Sequence, residues 1–600
     1  MRFGYTQAGR PPASVLRRHR WVWCGLMPVS LLVGTVPVSS ADPESPRATP
    51  AEARDKLLRC VSSQAAVVVY AQHWHLHWEQ IRRSPFATGF PRSALGQRCL
   101  QSDSWQAVQQ TAATVFKELQ LTPEELLTEI IGEGVVFAYS PGSGSPKAET
   151  SLLAVVPRRP ATLQALVQRI NELQLRAGEV LELQPHRSGA HTYTLRKKPG
   201  GVVDSYVIQD GLFLYSNSPQ ELESALDRLS RSDPPVWTER LQRWGVAGDA
   251  LVVAIQPQQW AGAAGLAEAA ANPPLLRHWA RLWSALQAVV LSLQVSETVD
   301  VRLILEAAPA RLPPAWRNGW MAPAVPSARW LAAPDAWAGV HVTGSLGDWL
   351  DRLDILLPPE EHGQRPLSEG LEQFLGPLVG RDRYPLIRQV LGPTWSVWLE
   401  PPAQADELPA VGAAVSLQGT PEQRRTVAQA LAQALTFAWH ALRVHYNASH
   451  QDQITWQQPP VGTPELGGML VNPRGFPPGL APCFACSDEY LLVATHPVVF
   501  QRFEQRRQVP TRLPKGTGPD TIAWLDVRSL YDYLQRHKTH LPRRLAPLLE
   551  LEEARLQTNL KLLTELLEPV EAVRLDCTRK ENVLSFHLRC RPRWSLRPVP

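Results

Sequence analysis

Lysine is scarce in this 600-residue chain, with nine residues beside 52 arginines, and neither cation gathers into a run. The concentrated basic surface that nucleic-acid binding needs is therefore missing. No apolar stretch after Val38 approaches the roughly 20 residues that cross a bilayer as a helix. The chain also lacks a Gly-x-Ser-x-Gly elbow, a His-Glu-x-x-His pair, a phosphate loop and a dinucleotide fingerprint. Those gaps remove the recognisable hydrolase, zinc-protease and nucleotide-binding classes. They leave open an enzyme whose groups assemble from distant residues.

The N-terminus carries the first positive signal. Arg2, Arg10, Arg17, Arg18 and Arg20 precede an apolar run from Trp21 to Val38, with Ser39 and Ala41 placed for cleavage before Asp42. This pattern reads as an export signal over residues 1–41. If retained, residues 21–38 would instead anchor the chain in a membrane. The whole chain has 61 basic and 56 acidic residues. The segment 1–41 holds five Arg and no acid, so its removal leaves 56 of each and a mature net charge of zero. The basic character thus belongs to the signal. Export to the periplasm or cell envelope is the expected localisation.

Six cysteines remain after cleavage, an even number that permits disulfides in an oxidising compartment. Cys60 and Cys99 form a candidate pair. Cys577 and Cys590 suit a hairpin bridge poorly, because a turn at Lys580-Glu581 places Cys577 opposite Leu584.

Internal similarity organises the rest. Asp210 to Pro219 aligns with Asp488 to Pro497, each reading as a turn, an apolar strand and a proline-opened helix. Ile131-Gly132 recurs as Leu391-Gly392, Ser151 to Val156 as Val411 to Ser416, and Ala65 to Tyr70 as Ala338 to Val342. Each copy closes on two strands, from Val289 to Leu305 and from Val570 to Arg589. The expected fold class is α+β: two tandem duplicated units, each a mainly antiparallel or mixed sheet packed with helices. Unit 1 spans 56–307 and unit 2 spans 335–591, joined by a Pro-rich linker over 308–334. Residues 42–55 read as a flexible segment, 592–600 as a tail, and Pro141 to Pro146 as mobile. The Pro- and Gly-rich stretch between Phe437 and Pro482 reads as a longer loop in unit 2. Thr122, Ser218 and Thr420 each precede Pro and a Glu or Gln at the third helical position, the signature of a capping box.

Candidate sites are few. His73, His75 and His77 would share one face if the preceding strand continued, and could then hold a metal. If a helix has begun, only His73 and His77 share a face. The blander reading is a strand-to-helix junction. Cys483-Phe484-Ala485-Cys486 sits before an apolar strand rather than at a helix start, so it lacks the context that activates a redox thiolate. Asp351 and Asp354 flank Arg352 on a helix and read as a solvated charged face. Asn447-Ala448-Ser449 is a formal glycosylation triplet. No catalytic residue, metal or cofactor is assigned.

The Ala65 to Tyr70 strand, the Ser84-Pro85-Phe86 turn, the Ile131-Gly132 step and the Asp210-Gly211 strand together carry a resemblance. The chain resembles exported planctomycete-type proteins of a domain-of-unknown-function family, and is similar to an uncharacterised cyanobacterial family. The resemblance implies an envelope location and a duplicated α+β fold, with no catalytic residues to carry over. Three functions stand as expectations: non-catalytic binding or scaffolding of an envelope protein, carriage of a lipid or apolar ligand, and a hydrolase or metal-dependent enzyme without a recognisable motif.

Overall fold

The computed structural model describes residues 50–593 except 85, 86, 88, 143–148, 232, 261–279, 281, 315, 318–332, 334, 357–364, 459–465 and 508–520. The export signal, residues 42–49, most of the linker and the Ser143 to Pro146 stretch lie outside the described residues.

The protein is α+β, built on one large antiparallel sheet. Ten strands come from the first half: β1 (Val67–Gln72), β2 (Gly134–Ser140), β3 (Thr150–Val156), β4 (Glu182–Ser188), β5 (His191–Lys197), β6 (Val203–Gln209), β7 (Leu212–Ser216), β8 (Leu251–Ile255), β9 (Leu286–Val295) and β10 (Val299–Ala307). Ten follow: β11 (Ala338–Thr343), β12 (Leu391–Glu400), β13 (Ala410–Leu417), β14 (Thr455–Gln457), β15 (Leu466–Val471), β16 (Cys483–Cys486), β17 (Tyr490–Ala494), β18 (Thr521–Asp526), β19 (Val570–Lys580) and β20 (Val583–Pro592).

Outward from the centre, the first half runs β10-β9-β8-β1-β2-β3-β7-β6-β5-β4. The second half runs β20-β19-β18-β11-β12-β13-β17-β16-β15-β14, the same order with ten added to each label. β10 and β20 pair antiparallel at the centre, from Val299 opposite Cys590 to Glu306 opposite Val583. Hydrogen bonds between them close what would otherwise be two exposed strand edges.

Helices cover both faces of the outer strands. In the first half, the helices Pro50–Cys60, Pro219–Leu229 and Val236–Arg243 bury Leu57, Leu222 and Trp237 with Tyr70, Val136, Leu152 and Leu214 of the sheet. Full burial of side chains this size contributes about 1.5–3 kcal/mol each. The helix Pro160–Arg176 covers the opposite face through Leu163 and Val167. In the second half, Phe500 and Phe503 of Val498–Arg507 pack on Trp398 and Leu492. The helix Pro421–Ser449 covers Phe484 and Cys486 on the other side.

Local chemistry explains several boundaries. Thr122 and Thr420 form complete capping boxes with Glu125 and Gln423, whereas the Ser218 hydroxyl accepts from the Glu221 N–H. Gly132 ends a π turn over Leu126–Ile130, where a Cβ would lie 1.9 Å from the Thr128 carbonyl oxygen.

Four boundaries differ from the sequence reading. Residues 50–55 are not flexible: they begin the Pro50–Cys60 helix, because Ala53, Leu57 and Cys60 form a buried stripe that outweighs the preceding prolines. The span 308–334 is not free linker throughout, since Leu312 and Ala333 are buried. The insertion after Phe437 is partly helix rather than loop: Pro421–Ser449 has 29 residues where Pro160–Arg176 has 17. Finally, β20 runs to Pro592, so its last residue falls in the expected tail.

Candidate functional site

The histidine cluster resolves into a junction. β1 ends at Gln72, His73 takes a left-handed backbone at φ 50°, and the helix Trp74–Arg83 begins. The His75 Nδ1 lies 2.6 Å from the Gly132 carbonyl oxygen, and the His77 Nδ1 lies 3.2 Å from Gln80 Oε1. Burial pushes the His73 and His77 pKa values down. Among the described residues no group of three His, Cys, Asp or Glu is arranged to hold a metal.

Among the described residues the cysteines are free thiols, Cys60 and Cys99 included. Cys60 is buried against the sheet with its Sγ 3.3 Å from the Lys56 carbonyl oxygen, while Cys99 is exposed on the helix Ala94–Leu100. Cys483 and Cys486 occupy the buried strand β16 and belong to separate cores on its two faces. Burial raises both thiol pKa values, Cys486 to about 12. That is the opposite of an activated redox cysteine. Cys577 faces Phe586 rather than Leu584, because the β19–β20 turn falls at Glu581-Asn582.

The remaining sequence candidates have structural partners. Asp351 pairs with Arg388 at 2.6 Å, and Asp354 accepts from the Ser368 hydroxyl. Asn447 is held on both sides of its amide by the Ile454 backbone, at 3.0 and 2.7 Å. None of these groups converges with another on a shared pocket.

What the sequence reading missed lies on the sheet itself. Antiparallel partners point to the same face, so the pairings define rows across the strands. One row runs Leu251, Leu293, Val301, Leu588, Leu575, Ala523, Val340 and Val397, crossing β8 through β12 by way of the central pairing. Every member is apolar and both halves contribute. Helix Trp74–Arg83 packs near Leu251, and Trp283 and Trp316 pack on Leu305 and Leu584 at another end of this face. Between them it is open: Val340 and Val397 are each 51% exposed and Leu291 46%. A shallow concavity of about 580 Å³ sits there, lined almost wholly by apolar atoms including Val340, Val397, Val411, Leu575 and Leu588.

On the reverse face, next to the buried Val252, Val290 and Ile304, lies a polar cluster around the central pairing. Arg302 stands opposite His587, and Asp300 opposite Arg589, across the central pairing. The His587 Nε2 lies 3.1 Å from Asp300 Oδ1, and Arg589 donates to its Nδ1 at 3.2 Å. This arrangement fits a neutral ring, and burial followed by the Arg589 charge lowers the His587 pKa. Asp576 takes Arg574 at 2.6 Å and Thr521 at 2.7 Å. Asp249 accepts from Ser292 and lies 3.9 Å from Arg302. Each carboxylate is engaged, so this network reads as a weld between the halves and offers no free base.

No family model matches the sequence, and no curated protein matches it either. The geometry therefore carries the functional argument alone. No described helix is long and apolar enough to cross a membrane.

Proposed function

We propose that this is an exported, non-catalytic envelope protein of the planctomycete-type group, which binds or scaffolds an apolar segment of another envelope protein. The open apolar sheet face carries the reading. Large contiguous exposed apolar patches on soluble proteins mark interaction surfaces, because leaving them in water is unfavourable. This patch is formed from strands of both halves, so it exists only when β10 and β20 are paired. A tandem duplication of one unit belongs to the same proposal. The matching strand order of the two halves supports it, and a shared closing hairpin in each would supply the self-complementary edge that builds the joint surface.

The test is site-specific photo-crosslinking of the mature chain at Val340 and Val397 in the envelope fraction. A discrete protein adduct, abolished by Val397→Glu at an unchanged fold, is the expected result. Adducts to lipid alone would transfer the reading to a carrier. Absence of any adduct from either position would refute both.

A further inference from the structure

A second concavity, far from the open sheet face in sequence, has a different chemistry. It lies between the Pro50–Cys60 helix, the β6–β7 hairpin and the Pro219–Leu229 helix, and encloses about 610 Å³. That volume falls within the range of small-molecule sites, about 300–1,000 Å³. Its floor is apolar: Val207, Leu212, Leu214 and Leu226 are at most 7% exposed and belong to the main core of the first half. Its wall is polar. Lys56 and Arg59 both line it, three residues apart on one helix face.

Arg59 is the anomalous residue. It is half-buried, its Nε is buried without an acceptor, and no carboxylate pairs with it among the described residues. Leaving such a donor unmet is unfavourable, the more so when the group is charged. The neighbouring charges are engaged elsewhere. The Lys56 Nζ donates to the Asp210 carbonyl oxygen, which ties the helix to the hairpin turn. Asp55 accepts from Arg54 and Thr238 at 3.2 and 3.1 Å. His191, at the other side, is held by Asp227 at 2.8 Å. Glu52 and Asp210 also line the opening, so the pocket does not attract anions by net charge. Its selectivity instead comes from the Arg59 guanidinium beside an apolar floor.

We propose that this pocket binds an amphipathic anion, with its apolar body on Leu212 and Leu214 and its carboxylate or phosphate on Arg59. A guanidinium presents a planar fork that matches either oxyanion and forms charge-assisted bonds stronger than neutral ones. An apolar molecule without a head group would forgo these bonds. This site is independent of the sheet-face reading, since its residues all come from the first half and share none of that surface.

The experiment is calorimetric titration of the mature chain with decanoate, decyl phosphate and decanol. Saturable one-to-one binding of an anion is expected, with decanol at least about tenfold weaker. Preference between decanoate and decyl phosphate distinguishes a free fatty acid from a phosphate-headed lipid as the source. Arg59→Met should weaken the anions about tenfold and leave decanol unchanged. Ser230→Glu, which sets a carboxylate at the exposed rim, should do the same without touching the core. Circular dichroism confirms the fold of each variant. Val397→Glu, on the open sheet face, should change none of these affinities. No saturable binding by any probe overturns the proposal, as does anion binding indifferent to both pocket variants. Loss on Val397→Glu would assign the ligand to the sheet face instead.

Discussion

His341 lies in β11, 6% exposed, with its Nδ1 2.9 Å from the Ser396 hydroxyl across the strand pair. Burial lowers its pKa from 6.5 to about 4. The unfolded chain therefore binds a proton at a pH where the folded chain does not. Stability from this group is complete above pH 6.5 and is lost as pH falls from 6.5 toward 4. At about 1.4 kcal/mol per pKa unit, the full loss is about 3 kcal/mol, of which about 2 kcal/mol is gone by pH 5. Other histidines with depressed values, including His587 and His496, add to the wild-type slope, so the comparison must be differential. His341→Gln keeps a hydrogen-bonding side chain toward Ser396 but does not titrate. Urea midpoints followed by tryptophan fluorescence at pH 7, 6 and 5 would read the effect. The variant starts less stable at pH 7 and converges on the wild type at pH 5, by about 2 kcal/mol. Parallel stability curves for the two proteins between pH 7 and 5 would refute the reasoning.

Glu400 is fully buried and holds Arg502 at 2.9 Å, Arg506 at 3.3 Å and the Trp398 Nε1 at 2.7 Å. Glu400→Ala should cost about 3–5 kcal/mol, because it removes the buried carboxylate that both arginines and the Trp398 N–H bond to; a denaturation midpoint unchanged from wild type would contradict this. Gly339→Ala would place a Cβ 2.1 Å from the Trp524 ring, so it should cost about 1–3 kcal/mol and alter the near-ultraviolet circular dichroism. Retention of both the spectrum and the melting temperature would show that the indole has room to move. In native iodoacetamide labelling followed by peptide mass mapping, Cys99 should react, while Cys60, Cys483 and Cys486 should wait for unfolding. Comparable native labelling of Cys486 would mean that β16 opens far more readily than its burial implies.

The sequence alone was enough for much of the architecture, because that information is local. Short apolar runs marked strands, hydroxyl-Pro-x-Glu/Gln signatures marked helix starts at Thr122 and Thr420, and the matching of Asp210 to Pro219 with Asp488 to Pro497 located corresponding strands β7 and β17. The α+β class followed from these patterns. The helix over 50–55 and the helical extension past Phe437 were obscured by nearby prolines and glycines, whose composition outweighed a weaker apolar stripe.

Tertiary structure decided what those strands do together. The exposure of Val340 and Val397 is one such outcome, since the sequence records that a side chain is apolar but not whether a helix covers it. The pairing of β10 with β20 depends on residues almost 300 positions apart, and it alone joins the two apolar surfaces into one. By residue type alone Arg59 is one more of the 52 arginines. Only the folded chain shows that its Nε is buried without an acceptor and that the residue lines a pocket with the β6–β7 hairpin and the Pro219–Leu229 helix. Periodicity is set within a few residues of chain, whereas exposure and partnership are set by which distant surfaces meet.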